Sequence, residues 1–481
     1  MAIFLVRLIV MELYRKAYAK LIKWKQKNEK NPLIIDGLRQ VGKTHIARRL
    51  GKEEYENFVF YDLRYDKGAR EIFSQDTPDR KITVDTIIQR TRVRYPDDRI
   101  EPGKTLLIFD EINDCPEARE SLKLFVPGCG YDVIATGSLL GLSDFKVKNI
   151  PAGYDAYLTL KPLDFEEFLI ASGVSERTID LIYESLRNQT KIDNSILDAL
   201  HAYFLRYVVV GGIPRAVIKY LETNDLVESR EVLTNLLKDY VSDFGTRYKD
   251  DGAKVIDAKL FVKTSMLFAS IHTQLAKDKS KKFKYKDIEG GGRSGEFSEA
   301  IAWLEKTGLI VRCFNTSAVE TPLEGNATPD KFKIYFPDIG LLVASYPVTL
   351  LSEILSGNLG AYKGAIYESI AAEALYKAEV PLYYHEDTLK HLENDFLVET
   401  KDGIDVYEVK SSNGKLASAK ALLESDSPYK HQIHGIYKLI DARYGTGDFY
   451  ETMPRFLLGF KMAVEEERLL SSLKLPPLPK I

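Results

Sequence analysis

Between Pro32 and Leu50 the chain reads PLIIDGLRQVGKTHIARRL, and this stretch restricts the fold more than any other. Gly37, four further residues and then Gly42-Lys43-Thr44 make a complete G-x-x-x-x-G-K-[ST] phosphate-binding loop. The flanks agree with it. Leu33-Ile34-Ile35 reads as a short buried strand, and His45 to Leu50 continues as a helix. Gly37 and Gly42 allow a tight turn and a close approach of backbone to phosphate oxygens. The N–H groups around Gln40, Val41 and His45, in the loop and first helical turn, are placed to cradle negative charge. Lys43 can reach the β- and γ-phosphates, and the Thr44 hydroxyl suits Mg²⁺. The alternative is a chance glycine-rich turn, which would need neither the strand nor the helix. ATP and Mg²⁺ are therefore the expected ligands.

The following elements build on this start. Met11 to Lys30 reads as an amphipathic helix, with Leu13, Tyr14, Ala17, Leu21 and Trp24 on one face. Phe58 to Leu63 is a strand by its aromatic and β-branched content. Thr105 to Glu111, TLLIFDE, is an apolar strand ending in two carboxylates. Asp110 would hold the Mg²⁺ shell and Glu111 would orient and activate the attacking water. Tyr131 to Leu139 is a further buried strand whose tip carries Thr136 and Ser138. Ser138 either senses the γ-phosphate or caps the next turn. Ala156 to Leu160 is the last short strand, followed by KPLDFEEFL.

In order and spacing, GLRQVGKT, LLIFDEI, ATGSLL and LKPLDFEEFL resemble the AAA-type ATPases of bacteria and archaea. The resemblance covers most of the first 220 residues. It implies a five-stranded parallel sheet with the phosphate loop on the central strand. Members often carry an arginine just before the last strand, where this chain has Tyr154 in PAGYDAYL, so no arginine finger is named.

Ser175 to Tyr240 is rich in Leu, Ile and Tyr at helical spacing and is expected to form a helical lid. It contains VGGIPRAVI. The resemblance implies that this Gly-Gly-x-Pro turn approaches the nucleotide, which makes Arg215 a candidate γ-phosphate sensor. Otherwise Gly211, Gly212 and Pro214 only break two helices and Arg215 is solvated. Lys277 to Lys286, KDKSKKFKYK, carries six lysines with two aromatics between them. A glycine turn, a helix from Gly295 to Thr307 and the strand GLIVRCF follow, an order that suggests a winged-helix module. The lysines are either phosphate contacts or a solvated loop.

From about Lys331 the chain reads as a separate α/β unit. Tyr362 to Tyr376 is a helix with Glu368 at its centre; Leu392 to Glu399 holds Asp395; Gly403 to Ser412 holds Glu408 and Lys410. The order Glu, Asp, Glu-x-Lys resembles the restriction-endonuclease-like fold of the PD-(D/E)xK nucleases, with Asn394 where the proline would be. In that reading Glu368, Asp395 and Glu408 bind Mg²⁺, and Lys410 positions water or stabilises the charged transition state. A plain structural ion pair between Glu408 and Lys410 is the alternative.

The expected architecture is α/β: a P-loop ATPase domain over 1–170, a helical lid over 171–250, a winged-helix-like module over 251–330 and a nuclease-like domain over 331–481. With 481 residues and 45% hydrophobic content there is material for several cores. A net charge of -3 announces no global affinity for nucleic acid. Cys115, Cys129 and Cys313 form no metal or disulfide pattern and suit a reducing cytoplasm. The opening MAIFLVRLIV is too short to span a membrane and is interrupted by Arg7; it is expected to pack on the first domain, or to precede a start at Met11. Candidate partners are ATP, nucleic acid, a protein or a further copy of this chain, and not a membrane.

Overall fold

The computed structural model describes residues 12–74, 82–137, 155–248, 254–277, 281–357, 359–410, 414–441 and 443–473. The opening apolar run, Ser138 and Tyr154 lie outside the described residues. The first sheet comprises β1 (Leu33–Gly37), β2 (Asn57–Asp62), β3 (Thr105–Asp110), β4 (Asp132–Thr136) and β5 (Ala156–Leu160). Its order is β2-β3-β4-β1-β5, and every pairing is parallel. Every residue of β1 and β3 is buried, which explains their unbroken apolar sequences: both faces of a parallel sheet are covered.

The central strand is β4, not the loop-bearing β1. After β1 the chain crosses to β2, returns through β3 and β4, and then places β5 on the other side of β1. The phosphate loop thus emerges at the point where the strand order reverses, where open α/β sheets leave a crevice. Gly37 pairs with Leu160, and a Cβ there would meet the Leu160 carbonyl oxygen at 2.2 Å, so the loop can begin only with glycine.

Helices Phe165–Ala171, Glu176–Arg187, Asn194–Val210, Pro214–Thr223 and Leu226–Ser242 follow. The first starts with a full capping box, Asp164 with Glu167. Beyond the small hairpin of β6 (Thr246–Tyr248) and β7 (Lys254–Ile256) come the helices Ala258–Lys277 and Ser294–Lys306. The hairpin of β8 (Val311–Thr316) and β9 (Ala327–Tyr335) then pairs antiparallel.

That hairpin changes the expected division of the chain. The boundary at residue 330 falls inside β9, and β8 pairs in parallel with β10 (Tyr383–Asp387). The strands continue through β11 (Leu392–Thr400), β12 (Gly403–Val409), β13 (Ile433–Ile440), β14 (Gly445–Thr446) and β15 (Glu451–Pro454). Together they form one eight-stranded sheet of order β14-β15-β13-β12-β11-β10-β8-β9. The helix Lys363–Lys377 is buried along most of its length and carries Glu368, Glu373 and Lys377. Among the described residues no helix is long and apolar enough to cross a membrane.

Candidate functional site

The loop after β1 holds its shape through backbone conformations that its sequence permits. Gly42 lies in the left-handed region at φ 95°, and Gln40 also has a positive φ of 63°. Val41 is fully buried, and its carbonyl accepts a 2.8 Å hydrogen bond from Arg15 Nη1. Arg15 Nη2 donates to the Lys161 carbonyl just past β5 at 2.5 Å, and Glu167 lies 3.4 Å from Arg15 Nε. Arg15, at the N-cap of the helix Lys16–Lys25, therefore clamps the loop to the end of the neighbouring strand.

Lys43 is buried, and its ammonium donates to the carbonyls of Gly37 (3.0 Å) and Leu38 (2.8 Å). Burial lowers its pKa, opposed by the charges of Glu111, Asp110 and Asp36. Thr44 Oγ1 donates to Asp110 Oδ1 at 2.7 Å, and Thr136 Oγ1 donates to the same oxygen at 2.6 Å. Thr136 Oγ1 in turn accepts the Glu111 N–H at 3.1 Å. The sequence thus places Lys43, Thr44, Asp110, Glu111 and Thr136 around one point at the ends of three parallel strands.

Glu111 is held by Arg64, whose Nη2 lies 2.8 Å from Glu111 Oε2 while its Nε reaches Asp114 at 2.8 Å. Sequence reasoning missed Arg64 and Arg15. Arg64 was within reach of a register argument: Asp62 pairs with Asp110, so residues just past β2 must flank those just past β3. A cavity of about 330 Å³ opens on Gly37, Lys43, Arg64 and Glu111, walled on the far side by Tyr240 and Trp303. His45 is on the exposed side of its helix, 3.5 Å from Glu12. Gln40 Oε1 is buried with no hydrogen-bond partner among the described residues. Arg215 is exposed at the start of its helix, although its neighbour Pro214 does approach the loop: a Cβ on Gly42 would lie 3.9 Å from Pro214 Cγ.

A second cluster lies on the eight-stranded sheet. Asp395 Oδ2 accepts the Val409 N–H (2.8 Å) and Lys410 Nζ (2.7 Å). Lys410 Nζ also lies 2.8 Å from Glu408 Oε2, and Asn394 Nδ2 donates to Glu408 Oε1 at 2.8 Å. Glu408 is fully buried; burial, then the Asp395 charge, raises its pKa to about 7.

The acidic group closest to a metal-binding arrangement differs from the expected one. Glu368, Glu393 and Asp395 each offer an oxygen within 4.8 Å of the other two. Glu393 was missed, although it sits two residues before Asp395 on a strand and so shares its face. Glu408 instead joins through Lys410. Lys333, from β9, lies between Glu368 Oε1 (2.6 Å) and Glu393 Oε1 (2.7 Å), and the Tyr335 hydroxyl donates to Glu368 Oε1 at 2.8 Å. Burial works to lower the Lys333 pKa, but the Glu368 and Glu393 charges outweigh it and hold the group well above its ordinary value. The basic segment is partly described: Lys282 pairs with Glu386 and bridges to the strand at Lys333.

Residues 29–169 match the model of an AAA domain. Residues 201–351 and 363–454 match two domains of unknown function, DUF8612 and DUF4143. No curated protein matches the chain. Among solved structures it is similar to a Walker-type ATPase of Pyrococcus abyssi, at 13% identity over 69% of this chain and 96% of that one, with a TM-score of 0.41. It is also similar to the Aeropyrum pernix ORC1 protein in complex with DNA, at 13% identity over 72% and 93%, TM-score 0.27. The Cdc6p of Pyrobaculum aerophilum matches at 14% identity over 71% and 92%, TM-score 0.21.

Proposed function

We propose that the AAA-type P-loop domain of residues 29–169 hydrolyses ATP and acts as the switch for a restriction-endonuclease-like C-terminal domain that binds or cuts nucleic acid. One observation carries the ATPase half: Thr44, Asp110 and Thr136 share a single carboxylate oxygen beside Lys43 and Glu111. Thr44 and Asp110 would hold Mg²⁺, which would neutralise phosphate charge. Lys43 would leave the carbonyls of Gly37 and Leu38 and turn to the β- and γ-phosphates. The N–H groups around Gln40, Val41, Gly42 and His45 would cradle them. Glu111, once released by Arg64, would orient the attacking water. Ser138 and Arg215 remain candidate γ-phosphate sensors.

At the second cluster Glu368, Glu393 and Asp395 would hold Mg²⁺, with Glu408 completing the acidic wall. The donor set suits a hard divalent cation, for it consists of carboxylates whose oxygens converge, although Lys333 and Lys410 already pair with them. Such an ion supplies Lewis-acid activation of a phosphodiester and of water. Lys410, held by Asp395 and Glu408, would steady the charge that develops on the phosphate.

A non-catalytic reading competes for the C-terminal domain. Its specific support is that Lys333 and Lys410 already pair with the carboxylates there. In that case ATP changes the shape or assembly of the chain, and the domain recognises a protein, nucleic acid or a second copy. Cytoplasmic residence is part of either reading, supported by three free cysteines.

The test is ATP turnover with and without duplex and single-stranded DNA in Mg²⁺ or Mn²⁺, with the DNA examined on a gel. Lys43→Ala should abolish turnover; turnover that survives it would sink the phosphate-loop assignment. Glu408→Ala should leave turnover intact and remove metal-dependent cleavage. DNA left intact by the wild-type chain would decide for the non-catalytic reading.

A further inference from the structure

The acid cluster already holds a cation that the chain supplies itself. Lys333 is completely buried, and lysine reaches such a position only when paired. Its ammonium touches one oxygen of Glu368 and one of Glu393, two of the three residues whose oxygens converge. The Tyr384 ring lies 4.8 Å beneath it, so the side chain is held from below as well.

We infer that Lys333 is a built-in competitor for the divalent ion: it occupies the seat between Glu368 and Glu393 and sets how tightly the cluster takes Mg²⁺ or Mn²⁺. The inference rests on the metal reading proposed above. An ammonium seated against Glu368 and Glu393 and a divalent ion held by the same two carboxylates would lie close together and repel each other. Metal entry therefore requires Lys333 to withdraw, or the ion to settle for the Asp395 side with fewer ligands. With Lys333 and Lys410 in place, four carboxylates, those of Glu368, Glu393, Asp395 and Glu408, face two ammoniums, and the residual negative charge still attracts a cation.

The origin of the lysine makes it a control point. Lys333 lies on β9, at the edge of the eight-stranded sheet and within the 201–351 match, whereas Glu368, Glu393 and Asp395 all lie within the 363–454 match. The seat and its occupant thus belong to different segments of the chain. A shift of the β8–β9 hairpin against the helix Lys363–Lys377 would empty the seat without altering any acidic ligand.

The experiment is Mn²⁺ titration of the full chain, free Mn²⁺ being read by its paramagnetic resonance signal, for wild type and Lys333→Met. The variant should bind at least about tenfold tighter, and adding Glu393→Gln to it should remove the gain. In EDTA the variant should melt below wild type and recover when Mn²⁺ is added, since binding to the folded state stabilises it. Equal affinity in wild type and variant would overturn the role of Lys333 and leave the metal reading standing. No Mn²⁺ uptake by either protein would overturn the metal reading and this inference with it. If Lys333→Met does not fold, Lys333→Gln keeps donors to both carboxylates and removes the charge; it should also bind tighter, and unchanged affinity would overturn the inference.

Discussion

Single residues in this chain carry their meaning through what they touch, and Gly212 shows it most directly. Its N–H donates to Asp338 Oδ2 at 2.7 Å, and its carbonyl accepts the Leu163 N–H at 2.7 Å. A Cβ there would meet the Leu163 carbonyl oxygen at 1.9 Å. Gly212→Ala should therefore destabilise the protein by roughly 3 kcal/mol or more, measured by urea unfolding. Gly295 is the control. It lies in the helix Ser294–Lys306, and nothing among the described residues stands within 4 Å of its Cβ position. Gly295→Ala should stabilise slightly, by about 0.5–1 kcal/mol. Comparable losses in both variants would show that the close packing at Gly212 is not what constrains it. The sequence made Gly37, Lys43, Thr44 and Asp110 legible because fixed spacing within one strand–loop–helix unit determines where they meet. Arg15, Arg64, Glu393 and Lys333 were not legible in the same way. Arg15 reaches the loop from 26 residues upstream, and Lys333 meets Glu368 across 35 residues, distances over which periodicity says nothing.

The helix Lys363–Lys377 illustrates what an element can hide. Its existence was readable, since YKGAIYESIAAEALY has helical spacing, but its position between two polar clusters was not. Towards one end Glu368 meets Lys333; towards the other, Glu373 and Lys377 form an ion pair and join Tyr207, Asp338 and the Leu163 carbonyl. The winged-helix expectation met a similar limit. Helix, turn, helix and strand are all present, but the strand partner of β8 on its far side is β10, roughly seventy residues on, and local pattern cannot reveal a non-local pairing. Burial, against the opposing Lys377 charge and with that of Asp338, raises the Glu373 pKa from 4.5 to about 7. A raised carboxyl pKa gives stability that is fully present below the unfolded value and is lost as pH rises through the folded one. Relative to wild type, Glu373→Gln should therefore gain stability between about pH 5 and 8, by on the order of 3 kcal/mol. Denaturant unfolding at both ends of that range checks it; a difference between the two proteins that does not change with pH would place the titration elsewhere.

Taken across the molecule, polar contacts and then one helix link the phosphate loop to the second cluster. Arg15 binds the Val41 and Lys161 carbonyls; Lys161 Nζ donates to the Tyr376 carbonyl at 2.6 Å; Tyr376 stands two turns from Glu368 on one helix. A parallel route passes through Leu163, Gly212 and Asp338 to Lys377. Continuity alone does not make a coupling, since a rigid scaffold would look the same. What separates the two is whether occupancy of the loop alters the far helix. If Lys43 leaves the Gly37 and Leu38 carbonyls for phosphates, the loop backbone must adjust, and Arg15 is bonded to that backbone at Val41. A non-hydrolysable ATP analogue should then change amide hydrogen exchange within Lys363–Lys377 in the wild-type chain. Lys161→Met, which deletes the donor to Tyr376 while leaving the nucleotide contacts alone, should bind the analogue normally and lose most of that distant change. Exchange in the helix that ignores the analogue in wild type would reduce the chain of contacts to structural support. Exchange that responds equally in Lys161→Met would route the signal through Leu163 and Lys377 instead, where the ammonium buried among Asp338, Glu373 and Tyr207 has no freedom to move without disturbing all three.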